Sequence, residues 1–170
     1  MTFELRTNRL VLRPVCTADV LELHELWTGS GVRRYLWDDE IISLERTRAA
    51  VEESMRLFKK YAYGLWAGRD AQTEGLIAFA GFWYFREPPE LELLYGVRET
   101  MWRQGFAAEA AAAVVEYGRQ TLDMRCIRAS TDAANAASLR VLEKLGFSLD
   151  HRQIAGRADT LFYALRSEPT

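Results

Sequence analysis

Leu91-Glu92-Leu93-Leu94-Tyr95-Gly96-Val97, and after it Trp102-Arg103-Gln104-Gly105-Phe106-Ala107-Ala108, is the stretch of this chain whose reading decides the fold. From Glu90 to Leu93 polar and apolar residues alternate, so a strand sets Glu90 and Glu92 on one face and Leu91 and Leu93 on the other. The Leu93-Leu94 doublet breaks the alternation. Either a β-bulge, which leaves backbone groups unpaired and aims them at a ligand, or a strand buried on both faces accounts for it. Gly105 then opens the clearest helix of the chain, over residues 106–122, in which Phe106, Ala110, Ala113, Val114 and Tyr117 share a face and Glu109, Glu116 and Arg119 lie away from it. The first turn of a helix has free N–H groups and the positive end of the dipole. Gly105 permits close approach, and Ala107 and Ala108 keep the surface open, so residues 103–108 suit phosphate oxygens. An ordinary loop-to-helix transition fits the same residues. Neither GxGxxG nor GxxxxGK[ST] occurs.

Upstream, residues 9–14 alternate and stop at Pro14, as a short strand does. Thr17 is placed to cap a helix with Val20, Leu21, Leu23, Leu26 and Trp27 on its apolar face, and residues 43–60 form a second helix with Val51, Met55 and Phe58 in helical spacing. Residues 63–68 and 76–84 read as strands joined by a turn, and Pro88-Pro89 breaks the chain before the strand 90–97, giving an antiparallel meander. Downstream come a strand over 125–131 and a helix over 134–145, ended by Gly146 with Lys144 in its last turn. Asp132 is its expected cap, with Asn135 and Ser138 on one face near its start. Short strands over 148–153 and 160–165 close a β-α-α-β-β-β-α-β-α-β-β order. This is a mixed α+β sheet in one domain spanning 1–170.

Composition narrows the function. With 22 basic and 24 acidic residues the formal charge is −2, which argues against an electrostatic nucleic-acid binder. The longest uncharged run, residues 75–85, is shorter than the about 20 residues a membrane helix needs. The first residues carry Glu4 and Arg6 with no apolar targeting segment behind them, so a cytoplasmic protein off the membrane is expected. Cys16 and Cys126 have neither a disulfide framework nor metal-ligand spacing and read as small core residues. His24 and His151 have no partner visible in the sequence. Trp37-Asp-Asp-Glu40 is either an acidic attraction for a cation or a solvated connection.

Taken together, these segments resemble the GNAT superfamily of acyl-CoA-dependent N-acyltransferases, and within it the ribosomal-protein N-terminal acetyltransferase (RimJ/RimL-like) branch. The likeness rests on Thr7-Asn-Arg-Leu-Val-Leu-Arg-Pro14, Leu93-Leu94-Tyr95, Trp102-Arg-Gln-Gly-Phe-Ala-Ala-Glu-Ala110, Ala129-Ser-Thr-Asp-Ala-Ala-Asn-Ala-Ala-Ser138 and Leu142-Glu-Lys-Leu-Gly-Phe147. Two departures stand out. Trp102 occupies the start of the loop, where the superfamily has Arg or Gln (the branch often has Trp), and Leu142 stands where many members have a tyrosine acid.

The resemblance implies a mostly antiparallel twisted sheet of about seven strands flanked by about four helices. Between the strand ending at Val97 and the strand 125–131 it implies a V-shaped split for acetyl-CoA. Pantetheine would pair with Tyr95, Gly96 and Val97, and the pyrophosphate would rest on the amides of Arg103, Gln104, Gly105, Phe106, Ala107 and Ala108. The amide of Leu94 or Tyr95 would polarise the thioester, Asn135 would orient pantetheine, Glu92 would act as base and Ser138 would hydrogen-bond the thiolate. No metal is needed. The implied reaction moves an acetyl group to a primary amine, with a protein or peptide α-amine favoured, in a monomer or homodimer. A non-catalytic acyl-CoA sensor, which Leu142 favours, and an acetyltransferase for aminoglycosides or polyamines remain as alternatives.

Overall fold

A computed structural model describes residues 3–85 and 90–167. The chain runs β1 (Leu5–Arg6), β2 (Leu10–Pro14), α1 (Val20–Thr28), α2 (Ser30–Leu36), α3 (Leu44–Tyr61), β3 (Leu65–Asp70), β4 (Leu76–Tyr84), β5 (Leu91–Val97), α4 (Phe106–Gln120), β6 (Cys126–Asp132), α5 (Ala136–Lys144), β7 (Ser148–Ala155) and β8 (Ala158–Arg166). The strands form one sheet in the order β1-β2-β3-β4-β5-β6-β8-β7. The mixed α+β architecture is as expected, with two additions: the short β1, and α2 inside the segment expected to be a connection. The break at Pro88-Pro89 lies outside the described residues.

Each face of the sheet has its own core. On one, Phe82, Leu93 and Val97 pack with Ala110, Ala111 and Val114 of α4. On the other, Leu65, Ala67 and Phe79 pack with Leu23, Leu26 and Trp27 of α1 and Val51 of α3. Burial on both faces settles the Leu93-Leu94 doublet. The β4–β5 register runs from Tyr84 opposite Leu91 to Ala78 opposite Val97 with no shift, Leu93 joins the α4-side core, and Leu94 packs on the α1 side. There is no bulge in this ladder.

β5 and β6 run parallel and share a single bridge, Glu92 opposite Arg128, whereas β6 pairs with β8 over seven positions. Beyond Glu92 no β5–β6 ladder continues, and the sheet opens toward Val97 and Asp132.

Several local expectations are corrected. Thr17 starts a 3-10 turn rather than capping α1, and Asp19 closes that turn by accepting from the Cys16 N–H at 2.9 Å. Leu21 and Met55 face solvent. Cys16 is exposed and Cys126 half-buried, so neither is a core residue. Asn135, not Asp132, is the N-cap of α5, because its side-chain oxygen accepts from the Ser138 N–H at 3.2 Å.

Candidate active site

The backbone of β5 determines what the split presents. Arg98 N–H donates to the Ile77 carbonyl at 2.8 Å, one position beyond the Ala78–Val97 pair. Residues of an antiparallel strand alternate in the direction of their polar groups. Leu94 and Gly96 therefore turn their N–H and C=O toward β4, while Tyr95 and Val97 turn theirs into the split. Of the Leu94 and Tyr95 amides, only that of Tyr95 turns into the split. Gly96 has a packing reason to be glycine: a Cβ there would sit 2.4 Å from Phe79 Cε1. The Val97 carbonyl accepts from the Trp102 indole N–H at 2.8 Å.

Residues 103–108 form a turn that feeds α4. Arg103 and Gly105 both adopt left-handed backbone, with φ of 60° and 82°, a conformation glycine takes without penalty. The earliest amide of α4 to find a backbone carbonyl is that of Glu109, which donates to the Gly105 carbonyl at 3.1 Å. The amides of Phe106, Ala107 and Ala108 thus belong to the first-turn donors that a helix cannot satisfy internally. Such a cluster at the positive end of a helix fits phosphate oxygens. Phe106 and Ala108 are themselves buried, so they offer backbone only.

The loop is braced from a distant part of the chain. Glu109 accepts from Thr7 Oγ1 and, at 2.9 Å, from the Arg9 N–H, while Arg9 Nε reaches its other oxygen at 2.7 Å. The same guanidinium donates to the Gln104 carbonyl at 2.9 Å and lies 4.1 Å over the Phe106 ring. Burial alone would raise the Glu109 pKa, but the hydrogen bonds from Thr7 and Arg9 outweigh it and hold the carboxyl below its ordinary value. Sequence reading placed Glu109 merely away from the packed face and gave Arg9 no role.

Glu92 and Ser138 flank the split from opposite faces of the sheet. Glu92 is only 3% exposed and accepts a hydrogen bond from Ser130 Oγ. It lines a cavity of about 190 Å3 together with Glu90, Arg128, Asp150, His151 and Phe162. His151 stacks on Phe162 with ring centroids 4.3 Å apart and bonds Asp150 at 3.0 Å, partners its sequence position did not reveal. His24, by contrast, bonds Thr47 at 2.8 Å, away from the split.

On the other face, the Tyr95 hydroxyl lies 2.8 Å from Ser138 Oγ. Burial pushes the Tyr95 pKa up to about 12, with the Ser138 hydrogen bond opposing. Leu142 is 1% exposed within the core, so no hydroxyl stands at that position. Asn135 spends its side-chain oxygen on the cap. In the segment 37–40, Asp39 pairs with Arg33 and Glu40 with Arg46. Asp38 and Asp159 add to burial in raising the Asp132 pKa at the open end of the split. Among the described residues no three metal-ligating side chains cluster, and no helix is long and apolar enough to cross a membrane.

Known proteins share this fold. The uncharacterized N-acetyltransferase YoaA of Bacillus subtilis is 29% identical over 144 residues, covering 84% of this chain and 81% of its own. An acetyltransferase from Agrobacterium tumefaciens superposes with a TM-score of 0.83 at 24% identity, covering 96% and 94% of the two chains. RimL, a ribosomal L7/L12 alpha-N-protein acetyltransferase solved with coenzyme A, gives 0.82 at 18% identity, covering 96% and 97%. The family profile described as an acetyltransferase (GNAT) domain matches residues 9–148. The chain belongs to the GNAT acetyltransferase family and is an acyltransferase enzyme.

Proposed function

We propose that the enzyme transfers an acetyl group from acetyl-CoA to a primary amine, with the α-amine of a protein or peptide as the favoured acceptor. One observation carries this reading: the N–H and C=O of Tyr95 and the N–H of Val97 turn into a split beside the first-turn amides of α4, the Val97 carbonyl being held by the Trp102 indole. In this reading acetyl-CoA supplies the acetyl thioester, and the chain does the rest. Val97 and Tyr95 align pantetheine by backbone hydrogen bonds, with Asn135 beside it, and the amides of residues 103–108 hold the pyrophosphate. The Tyr95 N–H faces the thioester oxygen, where a fixed donor stabilises developing negative charge. Glu92 takes the amine proton from the cavity side, directly or through water, since only the neutral amine attacks. Ser138 bonds the departing thiolate from the opposite face.

An α-amine has a pKa near 8 against about 10.4 for lysine, so it asks less of the base. The neighbour from Salmonella typhimurium described as modifying the N-terminal serine of ribosomal protein L7/L12 favours the same acceptor class. Glu90 and Glu92 at the cavity suit any cationic amine, while Asp150 is paired with Arg166 and His151. A small-molecule acceptor such as a polyamine or aminoglycoside is therefore the second reading. Mass spectrometry after incubation with acetyl-CoA and a panel of peptides, free amino acids, polyamines and aminoglycosides separates them. Acetylation of peptide α-amines is expected. Acetylation confined to the small molecules would overturn the acceptor class, and no acetylated amine would overturn the transfer itself.

A further inference from the structure

Tyr95 leaves β5 toward α5, on the face opposite Glu92, and its phenol oxygen lies 2.8 Å from Ser138 Oγ and 3.2 Å from the Ser138 carbonyl oxygen. The phenol and the serine hydroxyl each have one hydrogen to donate, and the carbonyl can only accept. Two arrangements satisfy these atoms. In the first, Tyr95 O–H is donated to the Ser138 carbonyl and Ser138 O–H to the phenol oxygen, which turns the serine hydrogen away from the split. In the second, Tyr95 O–H is donated to Ser138 Oγ, and the serine hydrogen is free. The second gives up the phenol bond to the carbonyl, which keeps its helical bond from the Leu142 N–H, and it gains most when an acceptor outside the pair takes the freed serine hydrogen. An anion beside Ser138 does that.

We propose that Tyr95 is the positioning residue for the coenzyme A thiolate: as sulfur takes up charge, the Tyr95 O–H moves from the Ser138 carbonyl to Ser138 Oγ and releases the Ser138 hydrogen to sulfur. This rests on the placement of the sulfur beside Ser138 in the proposed reaction. The electron pair of the broken C–S bond goes to sulfur, the amine proton leaves on the Glu92 side, and the thiolate later takes a proton from water. Both hydroxyls keep their own hydrogens throughout. Burial helps by keeping the phenol protonated across the pH range in which an amine reacts. The pair also answers the absence of a hydroxyl at Leu142 with hydroxyls from β5 and the first turn of α5.

The test reads the thiol of bound coenzyme A and needs no acceptor. The ultraviolet absorbance of the thiolate is titrated against pH in the wild-type complex, in Ser138→Ala, in Tyr95→Phe and in the double variant, with melting temperatures followed in parallel. In the wild type the bound thiol should titrate below the free one, because a hydrogen bond to the charged form favours it. Ser138→Ala should raise that pKa by about one unit, a tenfold change in thiolate-to-thiol ratio. Tyr95→Phe should raise it by a fraction of that, roughly the 10–30% by which one bond polarises the next. The double variant should match Ser138→Ala, since Tyr95 acts only through the serine.

A wild-type thiol that titrates like the free one, an unmoved thiol in Tyr95→Phe, or additive shifts would overturn the proposal. If Tyr95→Phe fails to fold, fluorotyrosine in place of tyrosine, a stronger donor, must lower the bound thiol pKa, and no change would overturn it equally. The expected thiol shifts without any acetylated amine would remove the transfer reading and leave this inference standing. Turnover with an unshifted thiol would do the reverse.

Discussion

Replacing Glu92 by Gln removes the basic lone pair and the charge while keeping the shape of the side chain. The residue is 3% exposed, and an amide of the same shape still presents an oxygen to the Ser130 hydroxyl. The stability cost should stay within about 3 kcal/mol, read by denaturant unfolding alongside the rates. The rate should fall. Loss of a general base costs about 10²–10⁴-fold, and the deficit has a defined pH dependence. For an α-amine with a pKa near 8, about 1% is neutral at pH 6 and about half at pH 8. A variant without a base can use only that fraction. Its rate should therefore climb about fifty-fold between pH 6 and 8 while the wild type changes little, and the gap should narrow accordingly. Initial rates with a peptide acceptor at saturating acetyl-CoA, measured at half-unit steps, give the comparison. A constant deficit would mean that Glu92 positions the acceptor rather than deprotonating it. Wild-type turnover of the variant at neutral pH would refute the assignment and leave Glu92 a structural carboxylate bonded to Ser130.

The other predictions concern the cofactor loop, the leaving group and the scaffold. Gly105→Val should weaken acetyl-CoA binding at least about tenfold in calorimetry, because a β-branched residue at φ 82° costs about 1–3 kcal/mol and shifts the amides of the loop; unchanged affinity would remove the phosphate assignment. Ser138→Ala should lower kcat by about ten- to 150-fold and change KM less, as a bond to a developing charge is worth about 1.5–3 kcal/mol; equal turnover would leave the thiolate to solvent alone. Leu142→Ala should destabilise the fold by about 2–5 kcal/mol in denaturant unfolding, as for a core leucine; a loss under 1 kcal/mol would contradict its burial. Glu109→Gln should lower the melting temperature near neutral pH. The Glu109 carboxyl is held below its ordinary value of 4.5, so its contribution is present above that pH and lost as pH falls through the lower folded value. The gap between wild type and variant should close in acid, and a gap that persists there would exclude an ionic origin.

The meander and α4 were legible because their signals are local: alternation before Leu93, a glycine ahead of an apolar-striped helix, and Leu76–Tyr84 as an uninterrupted apolar run; the split was placed by the family resemblance alone. The Leu93-Leu94 doublet was ambiguous for a physical reason. A single strand does not disclose whether a helix covers its second face, and here α1 does. The helix α2 was missed because Gly29, Ser30 and Gly31 are poor helix formers. Its start is held by tertiary contacts instead. Glu99 accepts from the Gly31 N–H, and the Trp102 ring leaves no room for a Cβ at Gly31, where one would lie 2.2 Å from Cη2. At the start of α5, Asp132, Asn135 and Ser138 all had the chemistry of a cap, and only backbone geometry chose Asn135. The Arg9–Glu109 and Tyr95–Ser138 contacts join positions 100 and 43 residues apart, so no spacing rule could pair them.

The central claim is that the opened β5–β6 edge carries acetyl transfer to an amine, and stoichiometry tests it most directly. Wild-type enzyme is given acetyl-CoA and a peptide with a free α-amine, and released coenzyme A and acetylated peptide are quantified in the same samples by thiol titration and mass spectrometry. The account predicts that the two rise together in equal amounts, with release falling to background when the amine is blocked. Coenzyme A released without acetylated peptide, or at the same rate with the amine blocked, would contradict it.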